Sequence, residues 1–122
     1  MAKQYYFFKL IPPRETFPYD ITEGETRLME EHSRYFDAEF AAGRLLIYGP
    51  VMATGGAFGL AVLEVENEAE ARRFGESDPS VKGGFNRFRN IPYAGVRRPR
   101  QRILSHYEMY SLMYSSLVWA NW

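Results

Sequence analysis

The chain contains no cysteine, which removes disulfides, thiolate nucleophiles and sulfur-ligated metal sites together. Histidine is almost as scarce: His32 and His106 are the only two, and neither HxH nor HExxH spacing occurs. No dedicated metal site and no cofactor are therefore expected. Net charge is absent too. Fifteen basic residues balance fifteen acidic ones, so no overall field draws the protein to nucleic acid or to an anionic membrane. A near-zero charge also tolerates self-association. Long apolar runs are missing: "YYFFKLI" (5–11) is broken by Lys9 and too short for a signal peptide. "YSLMYSSLVWA" (110–120) falls short of a membrane span. The expected setting is cytoplasmic, with no membrane and no nucleic acid as partner.

What is present suits one compact domain of 122 residues with 16% aromatic side chains. Size scaling allows it to bury roughly two-thirds of its unfolded surface, enough for a single core. "YYFFKLI" reads as a strand that stops at Pro12-Pro13. Thr22 and Glu25 have the spacing of a capping box. A helix is predicted from there to about Ala42, with Gly43 suited to the left-handed residue that ends it. Its inward stripe is Leu28, His32, Tyr35, Phe36 and Phe40. "RLLIYGPVM" (44–52) is a second strand, "ATGGA" (53–57) a turn, and "FGLAVLEVE" (58–66) a third strand, apolar enough to be covered on both faces. Residues 67–77 form a short helix capped by Asn67, 78–84 a turn, and "FNRFRNIPY" (85–93) a fourth strand.

The order β-α-β-β-α-β is the ferredoxin-like, split βαβ arrangement, an α+β fold with a four-stranded antiparallel sheet and two helices on one face. The other face would leave apolar side chains in water, so pairing with a second sheet in a homodimer is expected. Residues 1–93 form this domain. Residues 94–122 form an extension with four arginines between Arg97 and Arg102 and then an aromatic, Met-rich helix or arm that must dock on something. The arginines suit a solvated linker, or pairing with Glu30, Glu31 or Glu39. His106 reads as a surface or docking residue.

A histidine on the apolar stripe of a helix is either a satisfied core residue or a functional one. Asp78 favours the second reading, because it ends the second helix where the two helices lie side by side. A carboxylate accepting from one imidazole nitrogen fixes the tautomer and leaves the other nitrogen free to take a proton from a bound molecule. Gly49-Pro50 either bends its strand or lines a pocket. Arg44 either complements the helix dipole or binds a substrate carboxylate. Tyr48 and Tyr6 either pack or offer phenols to the pocket.

"EEHSRYFDAEFAAGRLLIYGPV", "GAFGLAVLEVENEAEARRF", "ESDPSVKGGF" and "FRNIPY" follow one another in the chain. In that order they resemble the YCII-related family over about residues 3–93. The features carrying the resemblance are a helix histidine, a Gly-Pro after the second strand and an Asp-Pro before the fourth: His32, Gly49-Pro50 and Asp78-Pro79. The resemblance implies a dimeric α/β barrel in which His32 and Asp78 form a catalytic dyad lining a pocket. One relative is a dehydrochlorinase acting on a chlorinated hydroxyquinol, and the barrel is similar to that of muconolactone isomerases. Two departures stand out. Ser80 replaces the bulky residue that many relatives place after Asp-Pro, which would widen or polarise the pocket, and the tail has no counterpart. The resulting expectation is a cofactor-independent lyase or isomerase moving a proton on a small molecule. The alternative is a non-catalytic metabolite-binding or accessory module of the same fold, and a third reading gives the tail to a protein partner.

Overall fold

The structure, a computed structural model, describes residues 2–99. The greater part of the predicted arm, with His106, lies outside the described residues. Strand β1 (Gln4–Ile11) leads into helix α1 (Glu23–Ala41), strands β2 (Leu45–Val51) and β3 (Phe58–Val65), helices α2 (Glu68–Glu76) and α3 (Pro79–Lys82), and strand β4 (Arg87–Pro92). The strands form one antiparallel sheet in the order β2-β3-β1-β4. This is the ferredoxin-like α+β fold that the sequence predicts.

Period-two alternation sorts the side chains of the two central strands. Tyr6, Phe8 and Leu10 of β1 and Ala61, Leu63 and Val65 of β3 are buried beneath the helices. Phe8 lies at the centre, with ring centroids of Phe36, Phe74 and Phe88 at 5.9, 5.2 and 5.6 Å. Such aromatic pairs contribute about 0.5–1.5 kcal/mol each beyond their area burial. Helix α2 presses close to the sheet at Gly75, where a Cβ would come within 2.4 Å of the Phe88 ring. No larger residue fits there without moving that ring.

Helix α1 begins and ends as the sequence predicts. The Thr22 hydroxyl accepts from the Glu25 amide, and the Glu25 carboxylate accepts from the Thr22 amide. At the other end Gly43 has φ +84°, the Gly43 amide donates to Phe40 O, and the Arg44 amide donates to Glu39 O. That pair of bonds satisfies two carbonyls the helix would otherwise leave free. The inward stripe is shorter than expected. Phe36 is buried and Leu28, His32 and Tyr35 are half-buried, whereas Phe40 is 50% exposed. The last turn of α1 reaches the sheet margin, where the Phe40 ring meets Tyr48 of edge strand β2.

Two further expectations need correction. Residues 78–84 are not simply a turn, since Pro79–Lys82 form one helical turn capped by Asp78. A capping carboxylate followed by proline at the first helical position is itself a helix-start signal. The second concerns β3, whose far face is only half-covered: Phe58, Leu60, Val62 and Glu64 keep part of their surface exposed there. The far face of the sheet also carries Tyr5, Phe7, Lys9, Ile47, Arg87, Arg89 and Ile91, with Ile47 59% exposed. Among the described residues no helix is long and apolar enough to cross a membrane.

Candidate functional site

Asp78 is placed by two local devices. It caps α3 through its own Ser80: the Ser80 amide and the Ser80 hydroxyl both donate to Asp78 Oδ1, each at 2.9 Å. The short helix is also held tightly against α1, because a Cβ on Gly83 would lie 2.7 Å from Leu28 Cδ1. This close packing brings His32, one turn beyond Leu28, to the carboxylate. His32 Nδ1 lies 3.0 Å from Asp78 Oδ1 and 2.9 Å from Oδ2.

Asp78 is fully buried, while the His32 side chain keeps 12% exposure. With a backbone amide and a hydroxyl already donating to it, the carboxylate acts as acceptor throughout, which assigns the hydrogen to His32 Nδ1. In the neutral ring Nε2 is then the lone-pair nitrogen. It has no hydrogen-bond partner among the described residues. The ring is held from the side by Phe36, with centroids 4.1 Å apart.

His32 forms part of the wall of a hollow of about 260 Å³. Leu10, Met29, Phe36, Gly59 and Leu60 supply apolar or bare wall, and Ser33, Tyr48, Gly49 and Pro50 complete it. This is slightly smaller than the roughly 300–1,000 Å³ of most ligand cavities, a size for a small molecule. The Tyr48 hydroxyl donates to Asp37, which raises the phenol above its ordinary titration range.

Of the residues proposed from sequence, His32, Tyr48, Gly49 and Pro50 share the hollow, with Asp78 directly behind the imidazole. Ser80 is not a wall residue. It is fully buried behind Asp78, so its small hydroxyl side chain orients the carboxylate. Arg44 is elsewhere as well: it pairs with Glu39 and borders a separate depression with Tyr35, Glu70 and Arg73. The helix dipole accounts for it poorly, since Arg44 follows the helix stop and its guanidinium is taken by a side chain. Tyr6 is a core residue whose hydroxyl donates to Gln4.

The sequence reading passed over Met29 and Ser33. Their signal was present, for Met29, His32, Ser33 and Phe36 fall at i, i+3, i+4 and i+7, one continuous helix face. Among the described residues no cluster of three or more His, Asp or Glu side chains is arranged to hold a metal ion.

No curated protein matches this chain. The YCII-related domain matches it over residues 7–92, from the middle of β1 to the end of β4. That span includes His32, Gly49-Pro50 and Asp78, and covers well over half of the sequence. The chain belongs to the YCII-related domain family.

Proposed function

We propose that the hollow binds a small, mostly apolar organic molecule and that His32 Nε2 takes a proton from one of its carbons. The carbon is one adjacent to a carbonyl or ring oxygen, where the electron pair of the breaking C–H bond can spread onto that oxygen. Return of the proton to a different carbon completes an isomerisation. Loss of a leaving group from the neighbouring carbon completes an elimination. Asp78 holds the ring through Nδ1 and stabilises the imidazolium formed when Nε2 is protonated. This chemistry calls for neither metal nor organic cofactor.

The observation that carries the reading is the pairing of a fully buried carboxylate with a histidine that still opens onto a cavity. A histidine serving only the core would have both nitrogens partnered inside the fold. Buried carboxylates touching a histidine beside a concave, mostly apolar site are a recurrent arrangement for proton transfer.

The test is hydrogen exchange at carbon. A panel of monocyclic ketones and unsaturated lactones is incubated with the protein in D₂O, and C–H to C–D exchange is followed by NMR. The native chain should accelerate exchange for at least one compound, and His32→Asn should lower that rate by about 10²–10⁴-fold, the usual range for a positioned general base. Exchange as fast in His32→Asn as in the native chain would refute the assignment. Binding across the panel without any exchange would instead establish a non-catalytic ligand-holding module.

A further inference from the structure

We propose that the hollow has a polar subsite behind Met29, where the side-chain amide of Asn86 pairs with a ligand group carrying an acceptor and a donor side by side: a carbonyl with an N–H or O–H next to it. The inference rests on the reading of the hollow as a ligand site and adds the chemistry that selects the ligand.

Asn86 is only 3% exposed, yet its amide is close to unpartnered. Its Oδ1 has no hydrogen-bond partner among the described residues. Its Nδ2 donates to Met29 Sδ at 3.6 Å, and a thioether is a weak acceptor. Exchanging the two amide atoms gains nothing, because the oxygen would then face the sulfur lone pairs. Buried side-chain amides nearly always find strong partners. Leucine, with the same branched outline, would occupy this position without leaving a buried dipole unpaired.

The position of Asn86 ties it to the site already described. Two residues before Phe88, it continues the helix-covered face of β4. Phe88 is the cross-strand partner of Leu10, which lines the hollow. The Asn86 amide N–H donates to Ser80 O at 3.1 Å, so the short helix that aims Asp78 at His32 also anchors Asn86. Met29 stands between Asn86 and the hollow, since its side chain is part of the wall and its sulfur faces the amide. An unbranched, flexible side chain can swing aside, and it gives up one weak contact in doing so. Met29 and His32 are three residues apart on α1, a spacing that sets Cβ atoms about 5–6 Å from one another. A single six-membered ring therefore reaches both the imidazole and the amide once the sulfur has moved.

The amide fixes the chemistry of what enters. Nδ2 donates to the carbonyl oxygen, and Oδ1 accepts from the N–H or O–H beside it. A hydrocarbon satisfies neither group and a simple ketone only one. In the proton transfer proposed for His32 the carbonyl oxygen takes up the electron pair, so the Nδ2 hydrogen meets that charge as it forms.

The test compares three six-membered rings on the full-length chain: 2-piperidone, with a carbonyl and an N–H, cyclohexanone, with the carbonyl alone, and methylenecyclohexane, with neither. NMR follows the Asn86 side-chain NH₂, the Met29 methyl and the His32 ring. 2-Piperidone should shift all three and move one Asn86 Nδ2 hydrogen downfield, whereas methylenecyclohexane should leave the amide in place. Asn86→Leu should weaken 2-piperidone by about 2–10-fold for each hydrogen bond lost and leave methylenecyclohexane unweakened. Signals of Asn86 that stay put while Met29 and His32 respond would overturn the inference and leave the ligand site standing. Equal weakening of all three probes by Asn86→Leu would also overturn it. No response to any probe at any of the three residues would remove the ligand site and the subsite together. An Asn86 shift without hydrogen exchange at carbon would support the subsite and remove only the proton transfer.

Discussion

Replacing Asp78 with asparagine reads the dyad without any substrate. In the native protein the carboxylate accepts three hydrogen bonds, from His32 Nδ1, the Ser80 amide and the Ser80 hydroxyl. Asparagine keeps one acceptor oxygen and turns a donor amide towards its other partner. If the oxygen stays with the Ser80 amide, the new NH₂ faces His32 Nδ1, and the neutral ring must place its lone pair there and its hydrogen on Nε2. The base is then inverted: Nε2 can donate but no longer accept. Losing a hydrogen bond to a charged group costs about 1.5–3 kcal/mol, which for a domain near this size lowers Tm by on the order of 5–15 °C. The tautomer itself is visible in long-range ¹H–¹⁵N spectra recorded above the ordinary imidazole range. Only two histidines need assignment. The native protein should show the Nδ1–H form at His32 and Asp78→Asn the Nε2–H form. A native Nε2–H tautomer, or no change on substitution, would refute the claim that Asp78 sets the ring, and a stability loss alone would not rescue it.

Two other perturbations test the frame around the site. Gly75→Ala drives a methyl into the Phe88 ring at 2.4–2.6 Å and should destabilise by about 1–3 kcal/mol through overpacking, measured by urea denaturation; an unchanged midpoint would show that α2 does not seat so tightly. The Arg14 guanidinium hydrogen-bonds Glu25 at 2.7 and 2.8 Å and, with the Thr22 amide, lowers the Glu25 carboxyl from 4.5 to about 2. A carboxylate whose folded pKa is depressed adds stability above pH 4.5 that disappears as pH falls towards 2. Arg14→Met should therefore flatten the loss of stability between pH 4.5 and 2, and an equally steep acid transition in that variant would count against the ion pair.

Local signals in the chain carried much of the architecture. The Thr22/Glu25 box and Gly43 mark the two ends of α1 because capping uses side chains within a few residues of the backbone groups they satisfy. Alternation in β1 and β3 separates the helix-covered face from the far one for the same local reason. Even α3, where composition predicts a turn, carries a helix-start signal in Asp78-Pro79. Phe40 shows the limit. Its spacing matches that of Phe36, yet only the extent of the sheet beneath determines that one is buried and the other overhangs.

The site divides along the same line. Which residue types were available, one histidine on a helix stripe and an aspartate before proline, was fixed by the sequence pattern, because periodicity and capping act over a few residues. That His32 and Asp78 meet at 2.9 Å, that Ser80 stands behind the carboxylate instead of lining the hollow, and that Arg44 turns to Glu39, was decided by tertiary packing. Forty-six residues separate the histidine from the aspartate. A contact between them depends on how closely α3 packs against α1, and that distance is set by Gly83 beneath Leu28 and by the sheet that carries both helices.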